Sequence, residues 1–293
     1  MGKYIAKSTN IKQEVQNLCR GLSKENQIWL LRQIHRARYA YQSGKDITNL
    51  TEQEINERIK IYNEFYPNIF KIDEDLYAYD GFLVPQKIYG LEVFYHKHNL
   101  HILEPQTLAK MRGKDFIDVG ASIGDSAIVF ERDFSDKNIY SFEPTKQRYE
   151  LMLHTLKLNN SSRVIPINKG LGAQNSTIKI DANIASSILI RDDDKIENIE
   201  IITLDNFVQE HKIEVGFIKV DTEGFEMEFL KGAKETICTQ KPAMLISIYH
   251  SGEDYFHIKP LIESWNLGYK FKIYKGIDGT ITEETGLYCE IVE

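Results

Sequence analysis

Two stretches of this sequence have residue types and spacings that could do chemistry at the edge of a sheet. The first is Phe116-Ile117-Asp118-Val119-Gly120-Ala121-Ser122-Ile123-Gly124-Asp125-Ser126. An apolar strand ending in Asp-x-Gly, then a turn whose second glycine opens a helix, lets backbone approach a ligand where a side chain would collide. The amino terminus of that helix also offers N–H groups to an anion. A close-packed strand-to-helix turn would use the same residues, so the loop needs a partner to be informative. Glu143 is that partner. It closes the apolar run Ile139-Tyr140-Ser141-Phe142, 23 residues after Gly120, where the next strand of a nucleotide-binding unit presents an acid to ribose hydroxyls. Pro144 follows and ends the strand.

The second stretch is Ile218-Lys219-Val220-Asp221-Thr222-Glu223-Gly224-Phe225-Glu226. Lys219 and Asp221 flank an apolar strand end and Glu223-Gly224 starts a helix, which brings two carboxylates to the same sheet edge. Lys219 either pairs with a strand-edge carboxylate or extends to solvent from an edge position. His250 ends a further apolar run, Ala243 to Tyr249. An imidazole there, with an ordinary pKa of about 6.5, suits removal of a hydroxyl proton; capping the next helix or bonding a backbone carbonyl is the competing reading. Asp221, Glu223 and His250 could also gather a divalent ion, but a metal is not favoured.

The dinucleotide fingerprint is absent. Ser122 and Asp125 occupy two of its glycine positions, and a pyrophosphate would meet the Asp125 carboxylate. A glycine loop and a ribose acid without a pyrophosphate cradle suit S-adenosylmethionine better than NAD, with Asp118 near the cationic end of the cofactor. Lesser candidates have plainer readings: Asp205 caps the helix it precedes, His96, His98 and His101 lie on an exposed loop or strand face, and Ser186 and Ser187 sit in a surface loop that could border an acceptor.

The elements that must position these residues follow from periodicity. Residues 11–70 are polar and nearly free of Gly and Pro, with Ile28, Leu31, His35 and Ala37 to Tyr39 at helical spacing. Ser23 and Thr51 read as helix starts, and Thr51 with Glu54 has capping-box spacing. Residues 76–103 are aromatic and punctuated by Gly81, Pro85 and Gly90, which suggests short strands and turns. From Asp115 onward, apolar runs of strand length alternate with helical patterns, implying βαβ units and a mostly parallel, doubly wound sheet. Tyr149, Met152, Leu153 and Leu156 form one sheet-facing helical stripe, and Phe225, Phe229, Ala233 and Ile237 another. The expected organisation is an N-terminal helical segment (1–75), connecting strands and turns (76–114), and a cofactor-binding α/β domain (115–293).

Composition narrows the classes further. The 293 residues carry a formal charge of −7 with no basic run, so nucleic acid is not an expected partner. Cys19, Cys238 and Cys289 contain no CxxC spacing, which argues against a disulfide framework. No signal-peptide core and no apolar run of membrane-spanning length is present, so a cytoplasmic chain without a membrane span is expected.

The set D-V-G-A-x-x-G, S-F-E-P, T-L-D-N-F, I-K-V-D-T-E-G-F-E and L-K-G-A, spread over residues 115–250, resembles the FkbM-type S-adenosylmethionine-dependent methyltransferases. The resemblance implies a class I methyltransferase fold (Rossmann-like) with an N-terminal helical extension, and O-methylation of a hydroxyl on a sugar, glycan precursor or other small molecule. It assigns Asp118, Gly120, Ala121 and Gly124 to the cofactor loop, Glu143 to the ribose acid, and Asp221 and Glu223 to the acidic strand end facing the transferred methyl; the residues themselves add Ser122 and Pro144 to the cofactor edge, along with Asp221, and His250 or Asp221 as the base. Thr222 stands where Val is frequent and Phe225 where Ala is frequent, which puts the acceptor more in doubt than the fold. Competing readings are N-methylation and a non-catalytic scaffold whose N-terminal helices dock or form a homodimer. A nicotinamide-dependent oxidoreductase is disfavoured by the missing fingerprint.

Overall fold

The computed structural model describes residues 1–45, 49–87, 90–181 and 196–292. Ser186 and Ser187 lie outside the described residues. A seven-stranded sheet organises the chain: β1 (Asp115–Val119), β2 (Ile139–Phe142), β3 (Val164–Ile167), β4 (Val215–Val220), β5 (Ala243–Ser247), β6 (Lys270–Tyr274) and β7 (Gly286–Glu290). Its order is β6-β7-β5-β4-β1-β2-β3. β7 runs antiparallel to both its neighbours, and the strands from β5 through β3 pair in parallel. β4 is buried along its whole length, as a central strand covered on both faces must be, and its Val-Gly-Phe-Ile-Lys-Val sequence is correspondingly apolar. Register places Val220 opposite both Val119 and Ile246, so the turns after β1, β4 and β5 emerge level at one edge.

Alternation along the strands feeds two cores. Ile117, Ile218 and Ile246 face one, and Phe116, Phe217 and Leu245 the other. The N-terminal helices contribute to the first through Ile5, Leu18, Leu30 and Ile34, whereas Ile61, Phe65 and Phe82 enter the second. The helix Lys24–Ser43 thus buries Leu30, Ile34 and Ala37; the expected stripe of Ile28 and Leu31 is instead 51% and 44% exposed. Both stripes have helical spacing, and docking decides between them. Asn26 fixes that docking: its side-chain amide donates to Ile273 O (2.6 Å) and its carbonyl accepts from Ile273 N (2.9 Å), so a helix covers the open edge of β6.

Several local expectations need correction. Helix Glu52–Glu64 ends well before residue 75, and a three-stranded meander follows (Phe70–Asp73, Leu76–Tyr79, Phe82–Val84). Residues 91–94 are a helical turn, and 97–102 is a turn segment kinked at Lys97, His98 and Asn99, whose φ values of 49°, 55° and 50° are left-handed, so neither is a strand. His98, on that kink, is buried, its Nε2 3.0 Å from Ser126 Oγ, and burial pushes its pKa down to about 3. Leu153 is 42% exposed beside buried Met152 and Leu156. The helix after Gly224 breaks at Ala233 into Glu226–Gly232 and Lys234–Gln240. Asp205 does not cap its own helix: Thr203 does, and the Asp205 carboxylate instead accepts from Glu235 N (3.0 Å) and Thr236 N (2.7 Å) at the start of the other helix. No helix among the described residues is long and apolar enough to cross a membrane.

The capping box of Thr51 and Glu54 forms as read from the spacing. Glu54 also receives Arg36 at 2.6 and 2.8 Å in a buried bidentate pair. Burial alone would raise the Glu54 pKa, but Arg36 and Thr51 outweigh it and hold the carboxyl at about 2 against an ordinary 4.5. Its contribution to stability is therefore present above pH 4.5 and lost as pH falls toward 2. Arg36→Met, which strands the carboxylate, is expected to cost about 3–5 kcal/mol in urea unfolding at neutral pH, with the deficit shrinking in acid. A deficit independent of pH would assign the loss to packing alone.

Candidate active site

The turn after β1 and the turn after β4 touch. Asp221 N donates to Val119 O (3.0 Å). Gly120 has φ 76°, and a Cβ built there would lie 1.8 Å from the Asp221 carbonyl oxygen. Gly120 N and Ala121 N both donate to Phe142 O at the end of β2 (3.0 and 2.9 Å), so the loop is anchored on both sides. Gly124, also left-handed, opens helix Asp125–Asp133.

Beneath the loop lies a buried ion pair. Lys219 Nζ is 3.3 Å from Asp118 Oδ1 and donates to Gly120 O at 2.9 Å. Burial disfavours both charges, yet the carboxylates of Asp118, Asp221 and Asp125 keep the lysine pKa raised. The Asp118 pKa is raised because burial exceeds the help of Lys219. Of the two readings of Lys219, the structure selects the ion pair. Asp118 is fully buried, so it holds the loop from below.

Glu143 is also buried and folds back on the loop. Its Oε1 accepts from Thr145 N (2.9 Å) and Thr145 Oγ1 (2.6 Å), and its Oε2 from Ser122 N (2.9 Å). Oε2 thus keeps capacity for a further donor. Pro144 O and Glu143 O are tied by the Asn168 amide (3.1 and 2.9 Å). Arg148, which sequence reading missed, donates to Ser122 Oγ (3.0 Å) while its buried Nε and Nη2 have no partner.

At the neighbouring strand ends, the structure brings Asp221, Glu223 and His250 together. His250 Nε2 is 3.3 Å from Asp221 Oδ1 and 3.6 Å from Glu223 Oε2, and the imidazole is 8% exposed. Glu223 is exposed. Ser251, not His250, caps the helix Gly252–Ser264. The other missed residue is Glu226, fully buried, whose Oε1 accepts from Thr222 N (2.8 Å) and Thr222 Oγ1 (3.0 Å) and lies 2.9 Å from His250 Nδ1. It was visible within the acidic motif, but nothing in one dimension pairs it with a histidine on another strand. Burial would lower the His250 pKa; Glu226, Asp221 and Glu223 together outweigh burial and raise it to about 9. Asp221, Glu226 and His250 each offer a donor atom, all within 4.8 Å of one another, so the group also has the composition a divalent cation accepts. Tyr249 adds a hydroxyl 3.4 Å from Asp221 Oδ1.

The arrangement sets a loop without side chains at positions 120 and 124 beside a carboxylate–imidazole pair that can exchange a proton. Gly120→Ala is expected to cost about 3 kcal/mol or more in chemical denaturation, because it adds both a left-handed strain and a clash with Asp221. A loss below about 1 kcal/mol would mean that the two turns do not hold this spacing.

Comparison with known proteins agrees with this geometry. The profile of the methyltransferase FkbM domain matches residues 118–271. "Methyltransferase 1" of Beauveria bassiana is 24% identical over 174 residues, covering 50% of this chain and 70% of that protein. "Hexuronic acid methyltransferase AglP" of Haloferax volcanii is 27% identical over 147 residues, covering 47% of this chain and 56% of that one. The crystal structure of methyltransferase FkbM from Methylobacillus flagellatus superimposes with a TM-score of 0.59 at 20% identity, over 98% of this chain and 60% of the other. The sheet order, the antiparallel β7 and the N-terminal helices are those of a class I methyltransferase fold with a helical extension. With the profile spanning more than half of its residues, the chain belongs to the methyltransferase FkbM domain family.

Proposed function

We propose that the chain transfers a methyl group from S-adenosylmethionine to a hydroxyl oxygen of a sugar or glycan precursor, with residues 115–293 acting as the methyltransferase domain. The observation that supports this reading is the contact between the Gly120 loop and the Asp221 turn, which brings the glycine loop beside the Asp221–His250 pair at one sheet edge. The residues present fit the cofactor. The loop leaves no side chain at 120 or 124, Glu143 Oε2 keeps capacity for a hydroxyl, and Arg148 has buried donors without partners. Gly120, Ala121, Ser122 and Gly124 would line the loop, Glu143 and Pro144 the ribose edge, and Asp118 would support the loop through Lys219.

When bound, the cofactor supplies an electrophilic methyl on a sulfonium, which needs no covalent intermediate with the enzyme. The chain's own part is to orient an acceptor hydroxyl at the Asp221 end, to exclude water from it, and to take its proton. Asp221 and His250 are the groups placed for that step, and Glu223, at the exposed rim, is placed to meet the acceptor. A sugar acceptor is supported by the hexuronic acid methyltransferase among the relatives. The carboxylates of Asp221, Glu223 and Glu226 favour a neutral hydroxyl over an acidic group next to the methyl, and they also keep an amine acceptor in view as the second reading.

Thermal unfolding with S-adenosylmethionine, S-adenosylhomocysteine and NAD in parallel tests the cofactor, since a ligand at 100 times its Kd adds about 2.7 kcal/mol. Stabilisation by the two adenosyl ligands and not by NAD is expected; none by either removes the reading. Glu143→Ala is expected to weaken S-adenosylhomocysteine binding by about 1–3 kcal/mol in calorimetry, and equal affinity would take Glu143 out of the ribose edge. With glycoside and nucleotide-sugar hydroxyls as acceptors, turnover should rise about tenfold per pH unit from neutrality toward 9, as His250 loses its proton. His250→Ala should abolish that rise while sparing cofactor affinity; a wild-type profile in the variant would exclude His250 as the base.

A further inference from the structure

We infer that Asp221, Glu226 and His250 form a site for one divalent first-row metal ion, Mn²⁺ or Zn²⁺, at the sheet edge beside the Gly120 loop. The purpose of the ion rests on the methyl-transfer reading, but the geometry of the site stands alone. Among the described residues, each of these three offers a ligand atom, and the atoms lie within 4.8 Å of one another. The set differs from the one the spacing suggested. Glu226 enters it, and Glu223 stays at the exposed rim, its Oε2 3.6 Å from the ring.

Neighbouring carboxylates do not by themselves make a site; the imidazole supplies the independent observation. Its side chain is 8% exposed, and neither ring nitrogen has a hydrogen-bond partner, although Glu226 Oε1 lies 2.9 Å from Nδ1 and Asp221 Oδ1 lies 3.3 Å from Nε2. A hydrogen bond needs its acceptor near the N–H axis. At these distances only direction can fail, so the oxygens stand to the side of that axis. That is where co-ligands of a metal belong. Bonds of about 2.1 Å at angles of about 90–110° put two ligand atoms on one ion roughly 3.0–3.4 Å apart, each off the other's lone-pair axis. Glu226 Oε2 adds a second unpartnered atom, on a fully buried side chain, which is unfavourable unless something meets it.

The donor set selects the ion. Carboxylates suit Mn²⁺ and imidazole suits Zn²⁺, whereas Mg²⁺ and Ca²⁺ sites are built from oxygen. Thr222 N and Thr222 Oγ1 hold Glu226 Oε1 at 2.8 and 3.0 Å, so that ligand is oriented in advance. The charge balance agrees: Lys219 pairs with Asp118 beneath the loop, and the His250 ring faces three carboxylates. Three protein ligands leave coordination positions open, and an ion there would polarise an acceptor hydroxyl and ease loss of its proton. A ring lone pair given to an ion is not free for a proton. His250 is therefore a ligand in the loaded chain and a proton acceptor in the metal-free one.

Mn²⁺ titration of the full chain, stripped with chelator and followed by electron paramagnetic resonance, tests this without acceptor or cofactor. The unaltered chain should bind a single Mn²⁺ that Zn²⁺ displaces, and the bound ion should show nitrogen-14 coupling from an imidazole. No binding of either metal, or a bound Mn²⁺ without that coupling, would overturn the inference with no variant needed. Glu226→Gln and His250→Gln should each weaken Mn²⁺ binding about tenfold or more, with thermal unfolding of the metal-free variants as the check on folding. Undiminished binding in both folded variants would place the ion elsewhere and sink the site. Mn²⁺ binding as expected in a chain that does not bind S-adenosylhomocysteine would remove the methyltransferase reading and leave the metal site standing; S-adenosylhomocysteine binding in a chain that takes neither metal would do the reverse.

Discussion

The Lys219 ammonium, buried between β4 and β1, is the group on which the rest of the site depends. An interior cation costs several kcal/mol unless its charge and donors are met. Here Asp118 meets the charge and the Gly120 carbonyl takes a donor. Because Gly120 also rests against the Asp221 carbonyl, the ammonium, the glycine loop and the acidic turn form one mechanical unit. A shift in any of them would strand a charge or create a clash, which gives the rim its rigidity before a ligand arrives.

Around that unit the chain gathers an excess of negative charge. Asp221, Glu223 and Glu226 surround one imidazole, and Glu284 adds a carboxyl whose pKa burial and Asp221 raise to about 7. Such a rim is electrostatically suited to a ligand with a cationic centre and poorly suited to a pyrophosphate. The same physics explains two behaviours of the acids. Glu226, beside His250, is held below the usual carboxylate range despite burial; Glu92, buried with only the neutral Asn99 amide as donor and near Glu284 and Asp278, is pushed up to about 8.

The N-terminal residues are part of this architecture. Helix Lys24–Ser43 seals the open edge of β6 through the Asn26 amide, and apolar residues from the first hundred positions fill both cores. A parallel sheet must be covered on both faces, and the chain before β1 supplies part of that cover.

Much of this was legible in one dimension. The alternation of short apolar runs with helical patterns announced the doubly wound sheet, and the capping box at Thr51 and Glu54 formed where its spacing said. The glycine loop, Glu143, Asp221 and His250 were found as types at spacings, because strand ends with Gly or acid are local signals. What stayed hidden depends on partners distant in sequence. Ile28 and Leu31 were as good a stripe as Leu30 and Ile34 until docking on the sheet chose between them. Asp205 caps a helix 30 residues away, and His98, expected on an exposed loop or strand face, is buried against Ser126 and Phe130. Sequence alone therefore determined the kind of fold and the chemical groups at its edge, since both are written in local periodicity and residue type. Only the tertiary structure decided that Lys219 lies buried under the loop and that Glu226 meets His250, because charge pairing across strands is set by register and burial, which no spacing along the chain encodes.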